Sequence, residues 1–110
     1  MTKNPMHYHV YVVLLNSDVL TKEKKYQEAN PGCVPGWPCL YVGMTGLTPE
    51  GRFENHKRGC KGNKYVERYG ERLAMEFRER GNPMNYSDAS QKEKRLALSL
   101  RELGSAVWQN

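Results

Sequence analysis

The stretch Cys39-Leu40-Tyr41-Val42-Gly43-Met44-Thr45 decides the fold class of this 110-residue chain. It begins with apolar and aromatic residues, and Gly43 and Gly46 mark its end, a pattern typical of a short buried β-strand. Upstream, residues 8–15 (YHVYVVLL) form a second run rich in Val, Tyr and Leu. Two such strands with helical patterns after them predict a small α+β domain.

The residues after the second strand carry the signals of a helix start. Thr48 is a candidate N-cap, and Pro49 suits the first helical position. We therefore predict a helix over residues 49–58, which Gly59 is placed to end.

The C-terminal third contains the clearest helical pattern. Residues 73–77 (LAMEF) suit a third strand, and Ser87 or Asp88 is the predicted N-cap of a long helix. Gly104 suits the C-cap of this helix, and residues 106–108 (AVW) suit a short closing strand. The helix has an apolar stripe at helical spacing, made of Ala89, Leu96, Leu100 and Leu103.

The segment 16–38 separates the first two strands and is polar, then rich in Pro and Gly. We interpret it as an inserted loop with a short helix around residues 21–28, and loops of this length are often functional or mobile. The chain length fits one hydrophobic core, so we predict a single domain over residues 1–110. Its expected architecture is a small three-stranded sheet, mixed or antiparallel, flanked by helices.

The chain is basic, with 17 Lys and Arg against 12 Asp and Glu, a net charge of +5. This excess favours a polyanionic partner, although a mildly basic charge also serves solubility alone. Placement adds weight, because the basic residues concentrate between Arg52 and Arg72. Five of them are the predicted nucleic-acid contacts: Lys57, Arg58, Lys61, Lys64 and Arg68.

Other features of the sequence bear on the cellular compartment of the protein. No apolar run approaches the ~20 residues of a membrane span, and the first residues lack the layout of a secretory signal, so we expect a cytoplasmic protein. The odd cysteine count argues against a secreted disulfide scaffold. Cys33 and Cys39 with His7 and His9 are alternative zinc ligands, but their spacing is not that of a zinc knuckle. We interpret the cysteines as reduced loop thiols.

A carboxylate interrupts the apolar stripe of the last helix. Glu93 lies four residues after Ala89 and three before Leu96, so it projects from the buried side. A carboxylate in that place must be paired, protonated or bound to a metal. The alternative is that Glu93 lies at the edge of the stripe and reaches solvent or a neighbouring Arg.

Two further pairs have both a structural and a functional interpretation. Arg52 and His56 share one face of the predicted first helix, which is suited to phosphate binding or is simply a solvated basic face. Tyr11 and Tyr41 lie within predicted strands, where tyrosine is usually a core residue with its hydroxyl at an edge. The other interpretation is that both hydroxyls converge on one site between the strands.

In order along the chain, Val10-Tyr11, Tyr41-Val42-Gly43-Met44-Thr45, Arg52 with His56, and Glu93 together resemble the GIY-YIG endonuclease superfamily. That family has a G-I-Y motif, a loop, a Y-I-G-x-T motif, a helix with Arg and often His, and a helix with a metal-binding Glu. The resemblance covers residues 8–108 and is greatest to small stand-alone members. Each motif is short, so the resemblance depends on their order, spacing and predicted setting.

The resemblance implies an endonuclease that hydrolyses nucleic-acid phosphodiester bonds, with DNA the expected substrate and one Mg²⁺ or Mn²⁺ ion as cofactor. Glu93 is then the metal ligand, and Tyr11 is the general base or orients the attacking water. Tyr41 supports that water and the scissile phosphate, Arg52 neutralises charge on the phosphate, and His56 assists by hydrogen bonding or shares the proton transfer. The second motif supplies two structural residues, Gly43 and Thr45.

Three features depart from the family pattern. His9 stands where the first motif has Gly, the interval from Tyr11 to Tyr41 is longer than usual, and the family's additional late Asn has no assigned counterpart. Two other functions stay open. One is a catalytically silent nucleic-acid-binding module on the same fold, and the other is a partner-docking domain that uses Trp37 and the Pro-rich loop. A protein partner that targets the domain is compatible with each.

Overall fold

The computed structural model describes residues 6–59, 63–77 and 81–109. They form a four-stranded sheet with helices on both faces. In chain order the elements are β1 His9–Leu15, α1 Asp18–Lys22, α2 Lys24–Ala29, β2 Cys39–Thr45, α3 Pro49–Lys57, α4 Lys64–Tyr69, β3 Gly70–Leu73, a 3-10 turn Met75–Phe77, α5 Tyr86–Leu103 and β4 Ala106–Gln109.

The sheet has the strand order β3-β1-β2-β4, one strand more than expected. β1 is antiparallel to both β2 and β3, whereas β4 lies parallel to β2. The predicted closing strand is therefore the fourth member of the sheet, and it extends to Gln109. The α+β class is confirmed, and the expectation of three strands is wrong.

The predicted strand over residues 73–77 is also wrong in its bounds. The third strand is Gly70–Leu73, and the next residues turn, with the Phe77 N–H donating to the Ala74 carbonyl at 3.0 Å. Beyond Ala74, the edge of β1 is occupied instead by Asn82, whose side-chain amide bonds both the N–H and the carbonyl of Val10. Because this edge is already paired, β3 cannot extend along it.

The two faces of the sheet have separate cores, since side chains alternate along each strand. On one face, Val10, Val12, Leu40 and Val42 pack with the buried residues of α5. The opposite face contains the second core, whose members lie on β1, β2, β4, α1, α2 and α4: Tyr11, Val13, Leu15, Val19, Tyr26, Cys39, Tyr41, Tyr65, Val66 and Ala106.

The segment predicted as an inserted loop contains two short helices, α1 and α2, and is part of the second core. Tyr26 on α2 is fully buried, and its hydroxyl bonds the main chain of Leu40 and Ala106. Asn30, just after α2, accepts a hydrogen bond from the Val107 N–H at 2.7 Å. The segment therefore holds the start of the β2–β4 pair, where the parallel ladder begins.

Helix α5 starts earlier than the sequence indicates. Its N-cap is Asn85, which accepts a hydrogen bond from the Asp88 N–H at 2.8 Å, so the predicted caps Ser87 and Asp88 lie inside the helix. The predicted C-cap is confirmed, because Gly104 has a left-handed backbone with φ of 117°. Leu103, placed in the apolar stripe, is 60% exposed because the helix is already ending there.

Cys33 and Cys39 are free thiols. Within the described ranges, no group of three or more His, Cys, Asp or Glu side chains is arranged to hold a metal, so the zinc alternative has no support there. None of the described helices is both long enough and apolar enough to cross a membrane.

Candidate functional site

Tyr11 and Tyr41 lie on adjacent antiparallel strands and on the same face of the sheet. Tyr11 is paired with Gly43, so the Tyr41 ring lies diagonally across from it, with the ring centroids 6.1 Å apart. A Cβ at Gly43 would lie 2.8 Å from the Tyr11 hydroxyl oxygen and 2.8 Å from Cε2 of Tyr41. Glycine at position 43 is therefore what allows both rings to lie over the strand.

His56 joins this cluster from α3. It is fully buried, and its Nε2 lies 2.9 Å from the Tyr11 hydroxyl. The Asn63 N–H donates to its Nδ1 at 2.8 Å. Because Nδ1 accepts that bond, the proton of neutral His56 is on Nε2, so His56 donates to the Tyr11 oxygen.

Burial and the nearby Arg52 guanidinium lower the pKa of His56 to about 4. The imidazole is therefore neutral at pH 7 and keeps the single tautomer that Asn63 selects. Of the two expected roles for His56, this geometry favours hydrogen bonding over proton transfer, since its only proton is already directed at Tyr11.

Burial raises the pKa of the Tyr11 hydroxyl to about 12, against the lowering effect of Arg52. Burial likewise raises the pKa of Tyr41, and the neighbouring Tyr11 hydroxyl adds to the increase. Arg52 thus lies near enough to act electrostatically on both tyrosines and on His56, one turn further along α3. Both phenols are neutral at pH 7 in the protein without ligands.

Glu93 on α5 is buried, which is one of the two alternatives that its position in the apolar stripe leaves open. Its carboxylate lies close enough to Tyr11 and Tyr41 to contribute to raising the pKa of each, after burial itself. Oε1 of Glu93 accepts a hydrogen bond from Gln109 at 3.3 Å, whereas Oε2 is buried with no partner among the residues described. Burial raises the pKa of this carboxyl group, partly offset by Gln109.

The buried, unpartnered oxygen of Glu93 fits a divalent ion. Mg²⁺ and Mn²⁺ take oxygen ligands, and Mg²⁺ is commonly held by one or two carboxylates with water and phosphate oxygens completing the shell. Glu93 would be the carboxylate ligand of such an ion, and the described part of the chain has no group of three or more His, Cys, Asp or Glu side chains around it.

The two structural residues of the second motif have separate roles. Gly43 gives the two tyrosine rings their space. The Thr45 hydroxyl accepts a hydrogen bond from the Leu47 N–H at 3.0 Å and thereby shapes the turn after β2.

The predicted nucleic-acid contacts lie on or beside α3 and α4. The Lys57 ammonium donates to the carbonyls of Glu67 and Gly70, so two of its three donors hold α4 in place. Arg58 and Arg68 form exposed ion pairs with Glu54 and Glu23, at 3.9 and 3.3 Å. The Lys64 ammonium lies 5.1 Å from the centroid of the Tyr65 ring, and Lys61 lies outside the described residues.

Three residues that support the site do not follow from the sequence. Asn63 selects the tautomer of His56, Gln109 binds Glu93, and Asn82 pairs with Val10 beside Tyr11. Asn63 donates this hydrogen bond through its main-chain N–H, so no pattern of side chains in the sequence could have predicted it. Gln109 and Asn82 are single polar residues distant in sequence from their partners, and only the folded chain brings them there.

Comparison with protein-family models, curated protein sequences and solved structures found no significant match. The GIY-YIG resemblance therefore depends on the residues and geometry of this chain alone.

Proposed function

We propose that this protein is a divalent-metal-dependent endonuclease of the GIY-YIG type that hydrolyses phosphodiester bonds in DNA. The observation that supports this most is that Arg52 and Glu93 both act electrostatically on Tyr11 and on Tyr41. Glu93 does so from α5, which packs on the opposite face of the sheet from the two tyrosines, and 82 positions separate it from Tyr11 (93 − 11).

In this proposal Tyr11 is the general base or orients the attacking water. Its oxygen accepts the hydrogen bond from His56, and a donor to that oxygen stabilises the phenolate relative to the phenol. Arg52 acts in the same direction. A metal at Glu93 would supply a further positive charge that favours the phenolate and a Lewis acid for the phosphate oxygens.

Arg52 also stabilises charge on the phosphate that is being cleaved. Its guanidinium contributes to catalysis to the extent that this contact strengthens in the transition state. In this proposal the Tyr41 hydroxyl, buried beside Tyr11, donates to the water or the phosphate.

The test is nicking of supercoiled plasmid and of branched DNA, with Mg²⁺ or Mn²⁺ and with EDTA. We expect metal-dependent nicking by the wild type and a loss of roughly 10³-fold or more with Glu93→Gln, an exchange that keeps the size of the side chain but removes its charge. Glu102→Gln on the exposed side of α5 is the matched control and should nick at the wild-type rate. Nicking that persists in Glu93→Gln would contradict the assignment.

A catalytically silent nucleic-acid-binding module is the second candidate, and the burial of the cluster favours it. The Tyr41 hydroxyl and Oε2 of Glu93 are both buried, and burial raises the pKa of Tyr11 to about 12. DNA binding at low salt without nicking in either metal would select this alternative. Absence of binding at low salt would favour the partner-docking function instead.

A further inference from the structure

A cavity of about 240 Å³ lies beside Tyr11, at the border of the proposed catalytic site. Its walls are the first turn of α3, the end of β3 with the turn after it, and the segment at Asn82 and Pro83. Tyr11 is the only residue that this cavity shares with the proposed catalytic set among the described residues. A ligand group in it would border Tyr11, which the proposed function places at the reacting phosphate.

The described lining of the cavity has no cation to hold a phosphate. Among the residues that the structure describes, no lysine or arginine lines it, and the one acidic residue in its wall is Glu50. An anionic phosphate would be repelled by that carboxylate. The part of a nucleotide that suits the cavity is consequently its uncharged base.

The shape and lining of the cavity also suit a base. Pro49, Pro83 and Met75 supply apolar surface, and His9 supplies a planar ring. The volume lies below the ~300–1,000 Å³ typical of pockets for drug-sized ligands, which matches a single ring system better than a whole nucleotide. The His9 ring takes the place of the glycine of the family motif, which would leave this wall without a side chain.

We propose that this cavity is a nucleobase subsite, which holds the base adjacent to the scissile phosphate. Glu50 accepts a hydrogen bond from the exocyclic amino group of that base, as acidic side chains do from cytosine N4. A base can enter only if it is unpaired or extruded from its duplex. The subsite rests on the proposed function for its place beside the reaction, and its occupant is an unpaired, amino-bearing base.

The test compares single-stranded homopolymers, in which the cavity meets the same base in every register. Short oligodeoxycytidylate and oligodeoxyuridylate differ in the exocyclic amino group, and an abasic oligomer of equal length has the backbone alone. Glu93→Gln is the parent protein, so that affinity is measured without cleavage. The expected order of affinity is cytidylate above uridylate above abasic, with about a tenfold preference for cytidylate over uridylate.

Variants at Glu50 test whether its carboxylate causes the preference for cytidylate over uridylate. Glu50→Ala should abolish it, whereas Glu50→Gln, which keeps a carbonyl acceptor without the charge, should retain part of it. Glu54→Ala removes a carboxylate from the same helix outside the cavity, where it pairs with Arg58, and should keep the full preference. Position 50 is exposed in the first turn, so none of these exchanges disturbs the core.

Two outcomes would overturn the subsite. One is equal affinity of the parent protein for cytidylate and uridylate. The other is tighter binding of all three oligomers by Glu50→Ala, which would mean that Glu50 only repels the backbone. Neither readout requires cleavage, so the subsite can fail while plasmid nicking stands. A base preference that persists without any nicking would instead place the subsite on a binding module.

Discussion

One main-chain hydrogen bond determines the chemistry of His56. The Asn63 N–H occupies Nδ1, so Nε2 keeps the proton and presents it to Tyr11. A protonated His56 would have to give up the bond from Asn63, because both ring nitrogens would then be donors. The neutral form is thus the one that the fold stabilises, and this has a consequence for stability.

We predict that acid destabilises the protein through His56. Its pKa is about 4 in the folded state and near 6.5 when unfolded, so below pH 6.5 the unfolded chain binds the additional proton. The stabilisation is complete above pH 6.5 and is lost as pH falls toward 4, about 3 kcal/mol in total. Urea unfolding between pH 7 and pH 4 measures it. His56→Gln should be less stable at pH 7 but flatter with pH, and parallel curves would contradict the assignment.

Gly43 offers a second prediction for a single position. Gly43→Ala would force the Tyr11 and Tyr41 rings apart, because its Cβ would meet both at 2.8 Å. We expect a loss of ~1–3 kcal/mol in stability and roughly 10- to 100-fold in nicking rate, since small displacements of reacting groups slow catalysis strongly. Gly32→Ala is the control, as its Cβ would meet nothing within 4 Å. Wild-type nicking by Gly43→Ala would show that the rings do not need this space.

Among the elements, the helical pair α1–α2 differs most from its prediction, because the predicted inserted loop is packed into the second core. The sequence predicts a loop with a short helix around residues 21–28, and nothing in it indicates that the Tyr26 hydroxyl will bond the main chain of Leu40 and Ala106. Those bonds depend on β4 lying parallel beside β2, a pairing between segments about 67 positions apart (106 − 39). Local patterns cannot specify such a contact.

The elements that the sequence does predict are those whose signals are local. β1, β2 and α3 follow from apolar runs and from the Thr48–Pro49 start. Helical spacing leaves two alternatives for Glu93, and the structure has the buried one. The sequence predicts the third strand too far along the chain, because the apolar residues in 74–77 do not form a strand. Ala74 and Phe77 lie in and beside a turn and pack against the core on the α5 face of the sheet.

We predict that Tyr26→Phe destabilises the whole domain although it removes one oxygen atom. The hydroxyl accepts a hydrogen bond from the Leu40 N–H and donates its single proton between the carbonyls of Leu40 and Ala106, each 2.9 Å from its oxygen, and all of these groups are buried. Leaving them without this partner should lower the free energy of unfolding by ~1–3 kcal/mol, measured in urea. Tyr86→Phe makes the same chemical change at a side chain that is 61% exposed, and it should be neutral. Equal stabilities of the two variants would mean that α2 does not depend on these bonds.

At the scale of the whole molecule, the net charge of +5 and pI near 9.2 describe a domain that attracts polyanions. The predicted nucleic-acid contacts are not equivalent, however. Lys57 is engaged with α4, and Arg58 and Arg68 already face carboxylates. Lys64 differs, because its charge lies over an aromatic ring, with no ion pair to any described residue within 4.0 Å.

The charges on α4 should therefore contribute unequally to DNA binding. Removal of a cation that neutralises one phosphate reduces the slope of log K against log salt by about 1, so Lys64→Ala should show nearly that reduction. Arg68→Ala should show less, because DNA would have to displace Glu23 from the guanidinium. Lys22→Ala, whose ammonium faces Asp18 on α1, is the control with an unchanged slope. Affinity titrations of a labelled duplex across a range of salt concentrations with Glu93→Gln protein give all three values, and an unchanged slope for Lys64→Ala would remove α4 from the footprint.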